Sequence, residues 1–82
     1  MNGPVAISRL PGTGEGVRFN GDNAAVIADW AGPDATYDGG RLVIHTPQGA
    51  MTPNLGDWII NADDEFYPVT TKAFTRGWQV ID

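Results

Sequence analysis

"GDWIINADDEFYPVTTKAF", residues Gly56–Phe74, decides the fold. With "ADDE" (Ala62–Glu65) as a four-residue loop, "DWIIN" and "EFYPV" fold back on each other as an antiparallel hairpin. Asn61 then lies opposite Phe66, Ile60 opposite Tyr67, and Trp58 opposite Val69. Successive strand residues point to opposite faces. One face therefore carries Trp58, Ile60, Tyr67 and Val69; the other carries Ile59 and Phe66, flanked by Asn61 and Pro68. Both faces are apolar, whereas an antiparallel strand with one wet face alternates. The second face must be covered by the Asn20–Gly32 segment, by "TTKAF", or by a partner chain, and the small size of the chain favours cover from within.

The segment "NGDNAAVIADWAGP" (Asn20–Pro33) supplies one such cover. Val26, Ile27 and Trp30 form a stripe at i, i+1 and i+4, which predicts a helix over about residues 22–31. Asp22 is suited to cap its first turn, and Gly32 followed by Pro33 ends it. The helix is too short to be stable alone, so Trp30 must pack on a sheet. From Tyr37 the period becomes two. "RLVIHT" (Arg41–Thr46) places Leu42 and Ile44 on one face and Arg41, Val43 and His45 on the other. "PQG" (Pro47–Gly49) turns into a return strand beginning at "AMT" (Ala50–Thr52). At the ends, "GPVAISRL" (Gly3–Leu10) reads as a strand, "PGTGEG" (Pro11–Gly16) as a flexible loop, and "VRF" as a few extended residues. "TTKAFT" (Thr70–Thr75) suits one helical turn, about residues 70–75, capped by Thr70 or Thr71 and closed by Gly77. "WQVID" (Trp78–Asp82) is a last strand.

The predicted architecture is a single α+β domain over residues 1–82. It consists of a strongly bent antiparallel sheet or partial barrel of five to six short strands, with one packed helix and a short C-terminal helical turn. Trp30, Leu42, Ile44, Ile60 and Trp78 are its expected core.

The totals narrow the function. Eighty-two residues with 41% hydrophobic content suit one globular domain. No apolar run is long enough to span a membrane, and the N-terminus lacks the pattern of a secretory signal. There is no cysteine, hence no disulfide, no thiolate nucleophile and no thiolate zinc site. Ten acidic residues stand against five basic ones, for a net charge of −5. Nucleic-acid binding needs a positive footprint, which Arg9, Arg18, Arg41, Lys72 and Arg76 do not provide by their spacing. The acidic balance favours solubility or a basic protein partner.

Catalytic and metal motifs are sparse. Ser8 and His45 are the only serine and histidine, and no nucleophile-elbow pattern surrounds Ser8. Asp57, in "GDW", has the position of a turn residue that bonds nearby backbone N–H groups. "GTGEG" lacks the lysine-serine pair of a phosphate loop. Asp63, Asp64 and Glu65 lack the alternating spacing of a calcium loop. The expectation is no catalytic residue, no metal and no cofactor. The candidate partner-binding residues are Asp63, Asp64, Glu65 and Tyr67: three clustered charges beside a residue type favoured at interfaces.

The sequence from Asn20 onward resembles a group of small uncharacterised proteins encoded by tailed phages and prophages. The residues carrying the resemblance are Gly56-Asp57-Trp58-Ile59-Ile60, Glu65-Phe66-Tyr67-Pro68 and Phe74, with "GDNAAVIADW" and "LVIHTPQGAM" upstream. Asp64 departs from the family pattern, which has glycine there, and "VTTKAF" stands where Cys-Lys-Pro-Asp-Ile-Phe is typical. The resemblance brings no known activity or site residues. It implies a bacteriophage protein acting in the cytoplasm of an infected bacterium, with a composition suited to a GC-rich host. The leading expectation is thus an accessory protein, not an enzyme, that binds a host or phage protein, inhibition of a host factor being one form of this. A small-molecule or nucleotide-sequestering oligomer, a small hydrolase using Asp57, Glu65 or His45, and a minor virion component are the alternatives.

Overall fold

The computed structural model describes residues 3–9 and 12–81. Leu10 and Asp82, expected in the first and last strands, and Pro11, expected in a loop, lie outside the described residues. The strands are β1 (Val5–Arg9), β2 (Gly12–Arg18), β3 (Ala35–Asp38), β4 (Arg41–Thr46), β5 (Gly49–Met51), β6 (Trp58–Ala62), β7 (Glu65–Val69) and β8 (Gln79–Val80). The helices are α1 (Ala24–Ala31), extended by a 3₁₀ turn over Gly32–Asp34, and α2 (Thr71–Gly77). The α+β class is as read from the sequence. The strands form two antiparallel sheets, one five-stranded in the order β7-β6-β2-β1-β8 and one three-stranded in the order β3-β4-β5. The larger sheet is open, since β7 and β8 are its two edges, so no barrel closes.

The β6–β7 hairpin has the predicted register: Trp58 pairs with Val69, Ile60 with Tyr67 and Asn61 with Phe66. Its two apolar faces meet two separate cores. Ile59 joins Val17, Ile27, Ala31, Leu42 and Ile44, with Trp30 and Phe66 packed at the margin. Ile60 joins Ile7 and Phe74, with Trp58, Tyr67, Val69 and Trp78 around them. The five-stranded sheet is thus a middle layer, with α1 and the small sheet on one side and α2 on the other. Ile59 and Ile60 are adjacent, point in opposite directions, and are both fully buried.

Of the expected core, Leu42, Ile44 and Ile60 are buried, while Trp30 and Trp78 are only half-buried. Each tryptophan lies between a core and a polar group at the surface. The Trp30 indole N–H donates to Glu15 Oε1 at 3.4 Å while its ring meets Phe66 edge-on. The Trp78 ring lies 5.8 Å from the Arg9 guanidinium.

The glycine-rich "GTGEG" is not a flexible loop. Its residues belong to β2, which lies between β1 and β6. Glycine normally weakens a strand, but it is favoured where another group must approach closely. A Cβ on Gly16 would lie 3.1 Å from Ile7 Cδ1 and 3.3 Å from Trp58 Cε3. Those side chains close over the bare backbone, and Trp58 in turn stacks on Phe74 of α2 with ring centroids 3.9 Å apart.

Helix α1 starts slightly later than expected. Asn23, not Asp22, is its N-cap residue, and Asp22 is exposed. Asn23 is buried and its side chain joins a local network: its Oδ1 accepts from Asn20 N–H at 3.0 Å and its Nδ2 donates to the Arg18 carbonyl at 2.8 Å. That network links the end of β2 to the start of α1. In α2, Thr70 is the cap, its hydroxyl accepting from Ala73 N–H at 3.1 Å. The Thr71 hydroxyl donates to the Gly56 carbonyl, tying α2 to the turn before β6.

The turn of the β6–β7 hairpin is tighter than a four-residue loop. Ala62 pairs with Glu65, leaving only Asp63 and Asp64 between the strands. Their φ angles are +54° and +63°, as the twist of a two-residue hairpin demands. A non-glycine residue in this region is strained, though aspartate less than most. Asp64→Gly is therefore expected to raise the unfolding free energy by about 0.5–1 kcal/mol, a gain of a few degrees in Tm. A thermal melt measures it; an unchanged or lower midpoint would show that the turn carries no strain.

Candidate functional site

The tip is built by the hairpin register. Asp63 and Asp64 are exposed because the strands end beneath them, and Glu65 is the exposed first residue of β7. Two residues further along the same strand, on the same face as Glu65, Tyr67 is half-buried against the Ile60 core. Burial raises its hydroxyl pKa above the ordinary tyrosine value; the nearby Arg9 charge opposes this, and Asp63 and Glu65 add to it. Tyr67 thus feels the charges of both the acidic tip and Arg9 on β1.

The turn joining β4 to β5 comes up beside the tip, and two open cavities form between them. One, of about 280 Å³, is lined by Asp34, His45, Thr46, Pro47, Asp64, Glu65 and Phe66. The other, of about 390 Å³, is lined by Pro47, Gln48, Ala62, Asp63, Glu65 and Tyr67. Glu65 and Pro47 border both. All four candidate residues thus line one or other of two neighbouring cavities. Asp34, His45, Pro47 and Gln48 complete them; of these only His45 is a candidate on the sequence, and no spacing places it beside Glu65.

Asp57 and Ser8 lie elsewhere. The Asp57 carboxylate accepts from Asn54 N–H at 2.9 Å, and Asp57 N–H donates to the Asn54 carbonyl at 3.0 Å. Asp57 therefore closes the turn that Gly56, with φ +92°, makes possible. Ser8 is on β1 in the larger sheet and His45 on β4 in the smaller one. Among the described residues, no group of three or more His, Asp or Glu side chains is arranged to hold a metal ion. No helix among them is long and apolar enough to cross a membrane.

Family models, curated proteins and solved structures gave no match. The chemistry of the tip therefore rests on its own geometry. Carboxylates from Asp34, Asp64 and Glu65 beside the Phe66 ring suit a planar cation, because a guanidinium can bond a carboxylate while stacking on an aromatic face. Tyr67 and Pro47 add apolar surface next to the charge.

Proposed function

We propose that this chain is a small acidic accessory protein of a tailed bacteriophage, acting in the infected cell by binding an arginine-rich or lysine-rich segment of a host or phage protein. It works by occupancy of that partner and not by catalysis. The phage context rests on the Gly56–Ile60 and Glu65–Pro68 resemblance. The binding role rests chiefly on one observation: two aspartates hold the positive-φ positions of an exposed turn whose flanks are both cavities. Asparagine and glycine would make the same turn with less strain and less like-charge repulsion. Carboxylates at these positions oppose folding slightly, which is consistent with a role outside folding.

The test is affinity capture from infected-host lysate, followed by association kinetics of the captured partner with the parent protein and with Asp63→Lys/Asp64→Lys. The double variant is expected to associate about tenfold more slowly at low salt, with a smaller salt dependence. Its melting curve checks that the fold is retained. Equal association rates at low salt would remove the tip from the interface.

A second reading, a small hydrolase, draws on a different feature of the same place. His45 and Glu65 border one cavity, and an imidazole beside a carboxylate is a pairing used in general acid–base chemistry. Hydrolytic activity of the purified parent that is lost in His45→Ala would support this reading; no activity in the purified parent would remove it.

A further inference from the structure

We propose that a second site, on the α2 side of the β1 end of the sheet, binds a small organic phosphate. It lies in a cavity of about 400 Å³ bordered by Ser8, Arg9, Thr75, Arg76, Trp78 and Gln79. It shares no lining residue with the two cavities at the acidic tip.

Charge is the first argument. The chain has only five cations against ten acidic residues. Two of the five, Arg9 and Arg76, border this one cavity, and no aspartate or glutamate lines it. In a protein of net charge −5, two guanidinium groups with no carboxylate in the lining make this cavity a place that favours an anion. Arginine is also the cation suited to phosphate, because its planar fork can donate two parallel hydrogen bonds to a pair of phosphate oxygens.

Fixed geometry is the second. Arg9 comes from β1, which is paired on both sides by β2 and β8, and its guanidinium lies 5.8 Å from the Trp78 ring. That contact restrains the side chain before any ligand arrives, which lowers the ordering cost of binding. Arg76 comes from the last turn of α2. The helix is held in place by the stack of Phe74 on Trp58 and by its Thr70 cap. Two elements from opposite ends of the chain thus bring the guanidinium-bearing residues to one cavity.

Size and lining select the ligand. A cavity of about 400 Å³ falls within the roughly 300–1,000 Å³ typical of small-molecule sites. It is larger than a bare phosphate needs. The strand residues Ser8 and Gln79 form part of the rim, and the half-buried Trp78 offers an apolar wall. This combination fits a phosphate monoester carrying a compact organic group, such as a nucleoside monophosphate.

The full chain should be titrated with adenosine 5′-monophosphate, inorganic phosphate and adenosine, followed by amide chemical shifts. The expected result is saturable movement of the Arg9, Gly77 and Gln79 amides with the monophosphate. Inorganic phosphate should move the same amides with weaker affinity, and adenosine should leave them in place. Arg76→Gln and Arg9→Gln should each weaken monophosphate binding by about tenfold or more, since each removes charged hydrogen bonds. Arg76 is exposed and its substitution leaves both cores untouched, so that variant remains informative if Arg9→Gln melts early. Equal binding of phosphate and monophosphate would identify free phosphate as the ligand and overturn the organic part of the proposal. Equal binding of adenosine, unchanged affinity in Arg76→Gln, or no saturable shift with any probe would overturn the site itself.

Discussion

Ile60→Ala is expected to lower the unfolding free energy by about 2–5 kcal/mol. Ile60 is fully buried between Ile7 on β1 and Phe74 on α2. Removing its outer carbons leaves a void that the surrounding sheet and helix can only partly close. A protein of this length has a total stability of about 4–12 kcal/mol, so the variant would lose a large fraction of it. Urea unfolding of parent and variant measures the difference. An unchanged midpoint would show that Ile60 is not packed in a core.

Gly14→Ala tests the middle of the sheet and is expected to be the more disruptive change per atom added. A Cβ on Gly14 would fall 2.5 Å from the Asn61 carbonyl oxygen and 3.4 Å from Ala62 Cβ. The nearest obstacle is backbone, which cannot rotate away. β2 and β6 must separate or slide, and overpacking of this kind costs about 1–3 kcal/mol or more. Gly3→Ala is the matched control: nothing lies within 4 Å of its added carbon, and its melt should follow the parent. If Gly14→Ala also follows the parent, the β2–β6 register is wrong.

These two positions also mark what could and could not be read along the chain. Ile60 was legible because the hairpin writes its own register: an aromatic and aliphatic alternation on each arm, turn residues between, and both faces apolar. The Gly32 stop and Ile27 were legible for the same reason, since the signal is local and periodic, but the buried face of α1 runs through Ala24, Ile27 and Ala31 and not through Val26. Gly14 was not. A glycine strand has no side chains to show a period of two, and its composition is that of a loop. What makes it a strand is its neighbours, Ile7 and Trp58, which cover Gly16 from other parts of the chain. Asp22 is a good capping residue by type, but Asn23 holds the cap position without a side-chain cap bond, fixed there by contacts with Asn20 and Arg18 that a local pattern does not show. At the candidate site, the acidic tip was visible as a charge cluster. Its shortness was not, because aspartate at both positive-φ positions is an unusual way to build that turn. Nor could the approach of Pro47 and Gln48, or the meeting of Arg9 and Arg76, be inferred, since each joins segments distant in sequence.

The burial of Ile59 and Ile60 on opposite sides of β6 has a consequence for how the molecule comes apart. Each apolar cluster alone is small, and in many proteins two such clusters would open separately as distinct cooperative units. Here both depend on the same five-residue strand. Loosening α2 frees Ile60 and weakens β6, which then releases Ile59 from α1 and the small sheet; loosening α1 does the reverse. The two helices pack on opposite faces of the sheet, yet neither can be lost without the other's support. Two modest cores are thereby coupled into a single unfolding transition, and amide protons along β6 and its partner β2 should exchange with solvent only when the whole molecule opens.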